Sequence, residues 1–222
     1  MTRILSVSGA TPDPAVVAEA VQALARLELL VYPTETLYAL GGVLSPEVAA
    51  RVRNAKDRDD GKALPVIAAG PEQARALCSS WPDAAQKLAA RFWPGPLTLV
   101  LLAGSQLARE ITAGTGCIAV RVPGLALARM LCQGAGPLIS TSANRSGAPP
   151  HAECAPAVAA FSSHAALALD AGTLAGVPST ILDLTAGPRL LRAGPISIEE
   201  LAGALRETGV SLQTDWERTT QP

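Results

Sequence analysis

Short apolar runs typical of buried strands alternate along this chain with Ala-rich stretches whose apolar residues recur at helical spacing. The apolar runs predict strands over 29–32, 36–40, 64–69, 97–102, 117–122 and 137–140. The stretches between them predict helices over 15–27, 46–56, 71–78, 82–92 and 126–132. Strands that alternate with helices in this way indicate an α/β fold.

The last third of the chain has a different pattern. Three short apolar runs, at 166–169, 180–184 and 189–191, predict a late antiparallel group of strands. Ser197 and Glu200 have the spacing of a capping box, so a final helix is expected from there to about residue 206. We therefore predict one α/β domain over 3–206 and a flexible tail over 207–222.

Composition narrows the classes of function. The chain has 222 residues, 49% of them hydrophobic, which is enough for a substantial core. A net charge of −1 argues against a generally basic nucleic-acid binder, and 3% aromatic residues argue against a base-stacking surface. No apolar stretch approaches the roughly 20 residues of a membrane span, and the N-terminus lacks the apolar segment of a signal peptide. A soluble, cytoplasmic protein with no membrane partner is expected.

The four cysteines, Cys78, Cys117, Cys132 and Cys154, are widely spaced and form no C-x-x-C pair. The chain has only two histidines to join them, so a zinc site is not expected. We interpret them as small, reduced thiols of an intracellular protein.

Lysine is scarce and clustered. Of the 18 basic residues only Lys56, Lys62 and Lys87 are lysines, and the first two share the segment 56–62 with Arg58. Lysine neutralises phosphate charge and arginine chelates phosphate oxygens, so this segment is a candidate polyphosphate site. The alternative is a solvated loop whose three aspartates balance the bases.

Two further segments place small polar side chains beside predicted strands. The segment 33–38 offers two hydroxyls and a carboxylate to a small ligand, although a plain turn is equally consistent with it. The segment 141–147 can form an anion-binding nest of backbone N–H groups. Neither a P-loop nor a G-x-S-x-G motif is present.

Taken together and in order, these segments resemble the YrdC-like family of threonylcarbamoyl-AMP synthases. The matching stretches are PTETLY at 33–38, K-x-R-x-x-x-K at 56–62, WPGPLT at 93–98, RVP at 121–123, STSANRSG at 140–147, PSTILD at 178–183 and RAGP at 192–195. The resemblance implies a YrdC-like twisted mixed sheet flanked by helices. It also implies the short, single-domain form, because longer members append a second domain for which the residues after 206 leave no room.

The resemblance further implies a nucleotidyltransferase. L-threonine, bicarbonate and ATP would give threonylcarbamoyl-AMP and pyrophosphate, the first step of threonylcarbamoyl-adenosine modification of tRNA. The nucleophile is an anionic carbamate, so the site needs positioning and cationic cover for phosphates rather than an enzyme nucleophile. Mg²⁺ is expected on the phosphates of ATP, with no metal site on the protein itself.

By resemblance, each substrate acquires a set of candidate residues. The catalytic candidates are Lys56 and Arg58. The candidates for ATP binding are Arg58, Lys62, Cys117, Ser142, Asn144 and Arg192. The candidates for threonine binding are Thr36, Arg121, Ser140 and Ser179. A guanidinium such as that of Arg121 suits a carboxylate because it can bond both oxygens.

The departures from the family pattern are Ala39 in place of Gly, Asp59 in place of Pro, and Cys117 in place of a hydroxyl residue. Two other functions stay open. One is a non-catalytic module of the same fold that binds tRNA or double-stranded RNA. The other is a carbamoyl-transfer enzyme of the hydrogenase-maturation type, whose further domains do not fit in 222 residues. As a synthase, the protein would supply a downstream threonylcarbamoyl-transferase complex.

Overall fold

The computed structural model describes residues 2–8, 11–57 and 61–213. Within them the strands are β1 (Arg3–Ser6), β2 (Leu29–Pro33), β3 (Tyr38–Val43), β4 (Val66–Ile67), β5 (Leu97–Leu102), β6 (Cys117–Arg121), β7 (Leu138–Ser142), β8 (Ala165–Asp170), β9 (Thr180–Asp183) and β10 (Arg189–Arg192). The helices are α1 (Pro14–Ala25), α2 (Pro46–Lys56), α3 (Pro71–Arg75), α4 (Asp83–Phe92), α5 (Arg109–Thr112), α6 (Ala126–Ala135), α7 (Cys154–Phe161) and α8 (Ile198–Leu205). A 3₁₀ turn, Arg206–Thr208, follows α8.

These strands form one mixed sheet in the order β1-β8-β2-β3-β7-β4-β6-β5-β9-β10. The pairs β1–β8, β8–β2, β4–β6 and β5–β9 are parallel, and the other neighbours are antiparallel. The predicted α/β class and the mixed sheet flanked by helices are confirmed.

Local sequence signals set the helix starts. Proline occupies the first turn of α1, α2 and α3, where its missing N–H costs no hydrogen bond. The Ser45 hydroxyl accepts from the backbone N–H of Val48 at the start of α2. The predicted capping box is present, because Ser197 and Glu200 each accept from the other's backbone N–H.

Helices cover the two faces of the sheet unequally. In β2, Leu29 and Val31 pack into a core shared with α2, α4, α7 and α8, whereas Leu30 and Tyr32 pack into a second core with α1 and α6. Both cores draw on alternate residues of the same strand, as burial of both faces requires. The second core covers only part of the sheet face on which α1 and α6 lie.

The other part of that face, over β5, β6 and β9, has no helix of the described chain packed on it. Along β5, Leu97 and Leu99 enter the first core, while Thr98 and Val100 point to the opposite side. Thr98 and Val100 border a cavity rather than packing against a helix. The half-covered sheet therefore creates the concave surface on which a site can form.

Several predicted elements differ from the observed ones. The runs 166–169, 180–184 and 189–191 do not form one antiparallel group: β9 and β10 pair antiparallel, but β8 lies parallel between β1 and β2. That prediction was wrong because periodicity reports burial, not which strand is the neighbour. Strand β3 begins at Tyr38 rather than at residue 36, because the hydroxyl of Thr34 accepts from the N–H of Leu37 and closes a turn.

Three elements gave too weak a pattern to be predicted. Strand β1 lies at the sheet edge with mostly exposed side chains, and α5 is a single turn. Helix α7 is apolar nearly throughout, so it has no polar face to reveal its period. In the predicted tail, Gln213 hydrogen-bonds to Pro188 and Leu190 beside β10, and residues 214–222 lie outside the described ranges.

None of the helices described combines the length and apolarity that crossing a bilayer requires. Within 2–8, 11–57 and 61–213, no group of three or more His, Cys, Asp or Glu side chains is arranged to hold a metal ion.

Candidate functional site

A cavity of about 520 Å³ lies over the uncovered half of the sheet. Strands β3 to β7, β9 and β10 contribute to its walls, together with the turn before β3 and the segment before β9. It brings together residues that are far apart in sequence. Six of the predicted site residues line it: Thr36, Arg121, Ser140, Ser142, Ser179 and Arg192.

Arg121, the last residue of β6, is buried and held through all three of its nitrogens. Its Nε donates to the carbonyl of Gly95 at 3.0 Å, and Nη1 donates to the hydroxyl of Thr36 at 3.1 Å. Its Nη2 lies 2.6 Å from Oε1 of Glu35. A guanidinium has five N–H donors, so these contacts do not use all of them. Arg121 is therefore fixed in place without being saturated.

Glu35 is the counter-ion of Arg121. The pair is close, but it lacks the alignment of a hydrogen bond, and both carboxylate oxygens are buried without a hydrogen-bond partner among the described residues. A Cβ on Gly124 would come within 3.0 Å of the Glu35 carboxyl group, so the glycine makes room for it. The carboxylate balances a guanidinium that would otherwise be a buried, unpaired charge.

The turn before β3 presents its hydroxyls through local hydrogen bonds. The Thr34 hydroxyl accepts from the backbone N–H groups of Thr36 and Leu37, as in the side-chain turns that threonine favours. It also lies 2.9 Å from the Thr36 hydroxyl. Thr36 is thereby held with its hydroxyl between Thr34 and Arg121, at the cavity wall.

A second arginine faces the same cavity from β10. Arg192 donates to the carbonyl of Ser179 at 2.9 Å and to its hydroxyl at 3.0 Å. That hydroxyl lies 2.8 Å from the hydroxyl of Thr98 on β5. Burial lowers the pKa of the Arg192 guanidinium, and the positive charge of Arg121 lowers it further. Glu35 balances Arg121, so the added charge of Arg192 makes the cavity favour an anionic ligand.

Strand β7 supplies the two serines. Ser140 pairs with Gly41 and Ser142 with Ala39 across the β3–β7 ladder. Ser140 also donates its backbone N–H to the carbonyl of Pro65. Residues two apart on a strand share a face, so both serines line the same wall.

Other predicted residues lie off the cavity lining. Lys62 is exposed next to Ala63, which does line the cavity. Cys117 begins β6, four residues before Arg121. Asn144 is buried, and its amide N–H₂ donates to the carbonyls of Arg145 and Ala148 within its own loop. The ATP-binding roles given to these three residues remain predictions.

The catalytic pair has a different outcome. Arg58, with Asp59, lies outside the described residues. Lys56 is buried, and its ammonium donates to backbone carbonyls of the loop after β7 rather than lining the cavity. Its predicted contact with phosphate remains a prediction.

Sequence reasoning gave no role to Thr98 or to the pairing of Glu35 with Arg121. Thr98 had one available signal: it is the polar residue within the apolar run 97–102, on the face opposite Leu97 and Leu99. No sequence signal indicated the pairing of Glu35 with Arg121, because the two residues are 86 positions apart and only the fold brings them together.

The Sua5/YciO/YrdC family model, whose description is "Telomere recombination", matches residues 22–194. The match covers well over half of the chain, so the chain belongs to this family. The predicted family resemblance is confirmed.

Individual relatives agree. The threonylcarbamoyl-AMP synthase of Chromohalobacter salexigens is 40% identical over 181 residues, which cover 79% of this chain and 96% of that protein. The threonylcarbamoyl-AMP synthase of Pyrococcus abyssi is 38% identical over 184 residues, 81% of this chain and 54% of that protein. The structure of P. abyssi Sua5 complexed with L-threonine has a TM-score of 0.88 at 33% identity and covers 96% of this chain. This chain spans 63% of that longer one.

Proposed function

We propose that this protein is a threonylcarbamoyl-AMP synthase, a nucleotidyltransferase that joins L-threonine, bicarbonate and ATP and releases pyrophosphate. The observation that carries the proposal is the placement of two guanidinium groups, Arg121 and Arg192, with several hydroxyls around one cavity. The substrates and the product are anions that also carry hydrogen-bonding groups. The names of the relatives support the same reaction.

Threonine would bind at the Arg121 end of the cavity. The N–H groups left on the terminal nitrogens of Arg121 suit the two oxygens of the α-carboxylate. Hydroxyls of Thr36, Ser140 and Ser179 line the same space and can pair with the threonine side chain. A site built to bond an O–H rejects valine, which has the shape of threonine but leaves those groups unpaired.

ATP would bind across β7 and β10. Ser142 and Arg192 line the cavity there, and Lys62 and Arg58 belong to the segment that follows α2. A leaving pyrophosphate concentrates negative charge, and lysine and arginine side chains stabilise such charge at the transition state. We retain Cys117 and Asn144 as ATP-binding residues.

The reaction needs no covalent enzyme intermediate. The amine of threonine combines with bicarbonate to form a carbamate, with loss of water. A carbamate oxygen then attacks the α-phosphorus of ATP. The bond between the α-phosphorus and the oxygen that bridges it to the β-phosphate breaks, and pyrophosphate leaves. The task of the protein is to hold both reactants in line and to cover their charge. Since Arg121 holds the α-carboxylate of threonine, direct attack by that carboxylate is disfavoured.

Mg²⁺ would enter with ATP. It prefers oxygen ligands and keeps several waters, so phosphate oxygens can supply most of its shell. When bound, the ion would neutralise charge on the phosphates.

The proposal also covers the extent of the catalytic domain and the partners of the protein. We propose that the activity resides in residues 3–206, with 207–222 as a tail. An adenylate is activated for transfer, so the product suits a downstream threonylcarbamoyl-transferase complex that modifies tRNA in the cytoplasm. Direct binding of tRNA or double-stranded RNA would be a separate property.

Substrate omission tests the proposal. We expect pyrophosphate release from ATP only when threonine and bicarbonate are both present, and carbon label from bicarbonate in the adenylate. Pyrophosphate release in bicarbonate-free buffer, or absence of label, would contradict the assignment. The non-catalytic alternative predicts no pyrophosphate release at all, together with RNA affinity that falls steeply with salt.

A further inference from the structure

Lys56, at the C-terminal end of α2, carries a buried ammonium group. The residue is 2% exposed, and its Nζ lies 5.8 Å from the centre of the Phe161 ring. Removing an ammonium from water is costly unless hydrogen bonds replace the water. The position of Lys56 therefore depends on the partners that the fold provides.

Those partners lie at the last residue of β7 and in the loop that follows it. The ammonium donates to the backbone carbonyl of Ser142, and to that of Asn144 at 2.5 Å. Ser142 lines the cavity and Asn144 lies two residues beyond it. A charged donor bonds a carbonyl about twice as strongly as a neutral one, so the two bonds restrain the loop where it leaves β7.

Further contacts join the same two segments. The backbone N–H of Ser146 donates to the carbonyl of Lys56 at 3.1 Å. Arg145 donates to the carbonyl of Ala55 and pairs with Asp57 at 3.0 Å. The Arg145–Asp57 pair is well exposed and contributes little. The ammonium of Lys56, in contrast, links the end of α2 to the loop from a buried position.

We propose that Lys56 is a positioning residue for the 142–148 loop, acting through its contacts with the backbone carbonyls of Ser142 and Asn144. Its ammonium fixes the carbonyls of Ser142 and Asn144, and so sets the Ser142 side chain at the cavity wall. The consequence for nucleotide binding rests on the proposed function. The link between Lys56 and the loop is a property of the ligand-free protein.

The test is hydrogen exchange of the ligand-free protein, which a direct phosphate contact would not affect. Lys56→Met removes the ammonium and keeps an unbranched side chain, and Lys87→Met on the exposed face of α4 is the matched control. We expect exchange of the amides in 142–148 to accelerate by about tenfold or more in Lys56→Met, and to be unchanged in Lys87→Met. Strands distant from the loop should keep their protection.

Unchanged exchange in 142–148 of folded Lys56→Met would overturn the inference. If that variant does not fold, Lys56→Gln replaces it, because its amide can still satisfy one carbonyl, and the same two outcomes apply. The two proposals fail separately. Pyrophosphate release with unchanged exchange contradicts only the role of Lys56, whereas absence of pyrophosphate release from the wild-type protein contradicts only the enzyme assignment.

Discussion

At the scale of the residue, the site depends on how Arg121 is held. Its three nitrogens contact Gly95, Thr36 and Glu35. Thr36 and Glu35 are neighbours in sequence and lie far from Gly95 along the chain. A planar guanidinium can satisfy several fixed partners at once and still present N–H groups to a ligand. Lysine has a single charged nitrogen and could not reproduce this arrangement.

Removing the Thr36 hydroxyl should weaken threonine binding. Thr36→Val keeps the shape of the side chain but leaves Nη1 of Arg121 without its acceptor. An unpaired buried donor costs about 1–3 kcal/mol, so we expect the KM for threonine to rise by a factor between about 5 and about 150. Steady-state kinetics should show little change in the KM for ATP. Thr36→Ser, which keeps the hydroxyl, is the control, and an equal rise in both KM values would contradict the assignment.

The basic segment after α2 offers a second residue-scale test. Arg58→Ala should reduce turnover far more than Lys87→Ala. Arg58 is proposed to contact the phosphates of ATP, whereas Lys87 is exposed on α4. Loss of one charge-assisted contact in a catalytic site costs about 2–4 kcal/mol of transition-state stabilisation. Pyrophosphate release measures both variants. Equal activities would show that the segment is only a solvated loop.

At the scale of the element, the close pairing of β3 with β7 positions the serines. Tyr32 on β2 donates its hydroxyl to the carbonyl of Ile139 at 3.1 Å, passing beside Gly41. A Cβ at Gly41 would come 1.7 Å from that carbonyl oxygen and 3.2 Å from the Tyr32 hydroxyl. A glycine is needed here because the neighbouring backbone occupies the space of a side chain.

Gly41→Ala should therefore destabilise the protein. Overpacking a core typically costs about 1–3 kcal/mol, and the contact at Gly41 is tighter than most, so we expect at least that loss in urea unfolding. Gly203→Ala is the control. It lies within α8 with only the end of Arg206 nearby, and alanine should raise stability there by roughly 0.5–1 kcal/mol. A Gly41→Ala variant as stable as the wild type would contradict the observed strand spacing.

At the scale of the whole molecule, none of the four thiols acts as a nucleophile in the proposed reaction. Burial raises the pKa of Cys132 to about 12 and those of Cys78 and Cys154 to about 11. Burial is also the larger cause of the raised pKa of Cys117, with the charge of Asp183 second. A thiol below its pKa is protonated and reacts slowly, because the thiolate is the nucleophile.

Alkylation should accordingly be slow in the native protein near pH 7 and should accelerate as the pH rises toward the raised pKa values. We expect pyrophosphate release to persist after iodoacetamide treatment at about pH 7. Protein unfolded in guanidinium is the control, in which all four thiols should react. Inactivation in step with labelling of Cys132, in protein that remains folded, would contradict a purely structural role.

The sequence by itself determined the class of fold, most helix starts and the family. Helix α2 and strand β5 have the predicted bounds, since proline, a capping serine and an unbroken apolar run act within a few residues of chain. Motif order along the chain was sufficient for the family. The four threonine candidates, Thr36, Arg121, Ser140 and Ser179, were named from those motifs and all line the cavity.

The tertiary structure alone decided which segments meet. It placed β8 between β1 and β2, paired Glu35 with Arg121, and turned the ammonium of Lys56 toward the carbonyls of the loop after β7. Periodicity and motifs report local conformation and burial, whereas these contacts join positions far apart in sequence. They depend on strand order and on the hydrogen-bonding needs of buried charges, which no short stretch of chain encodes.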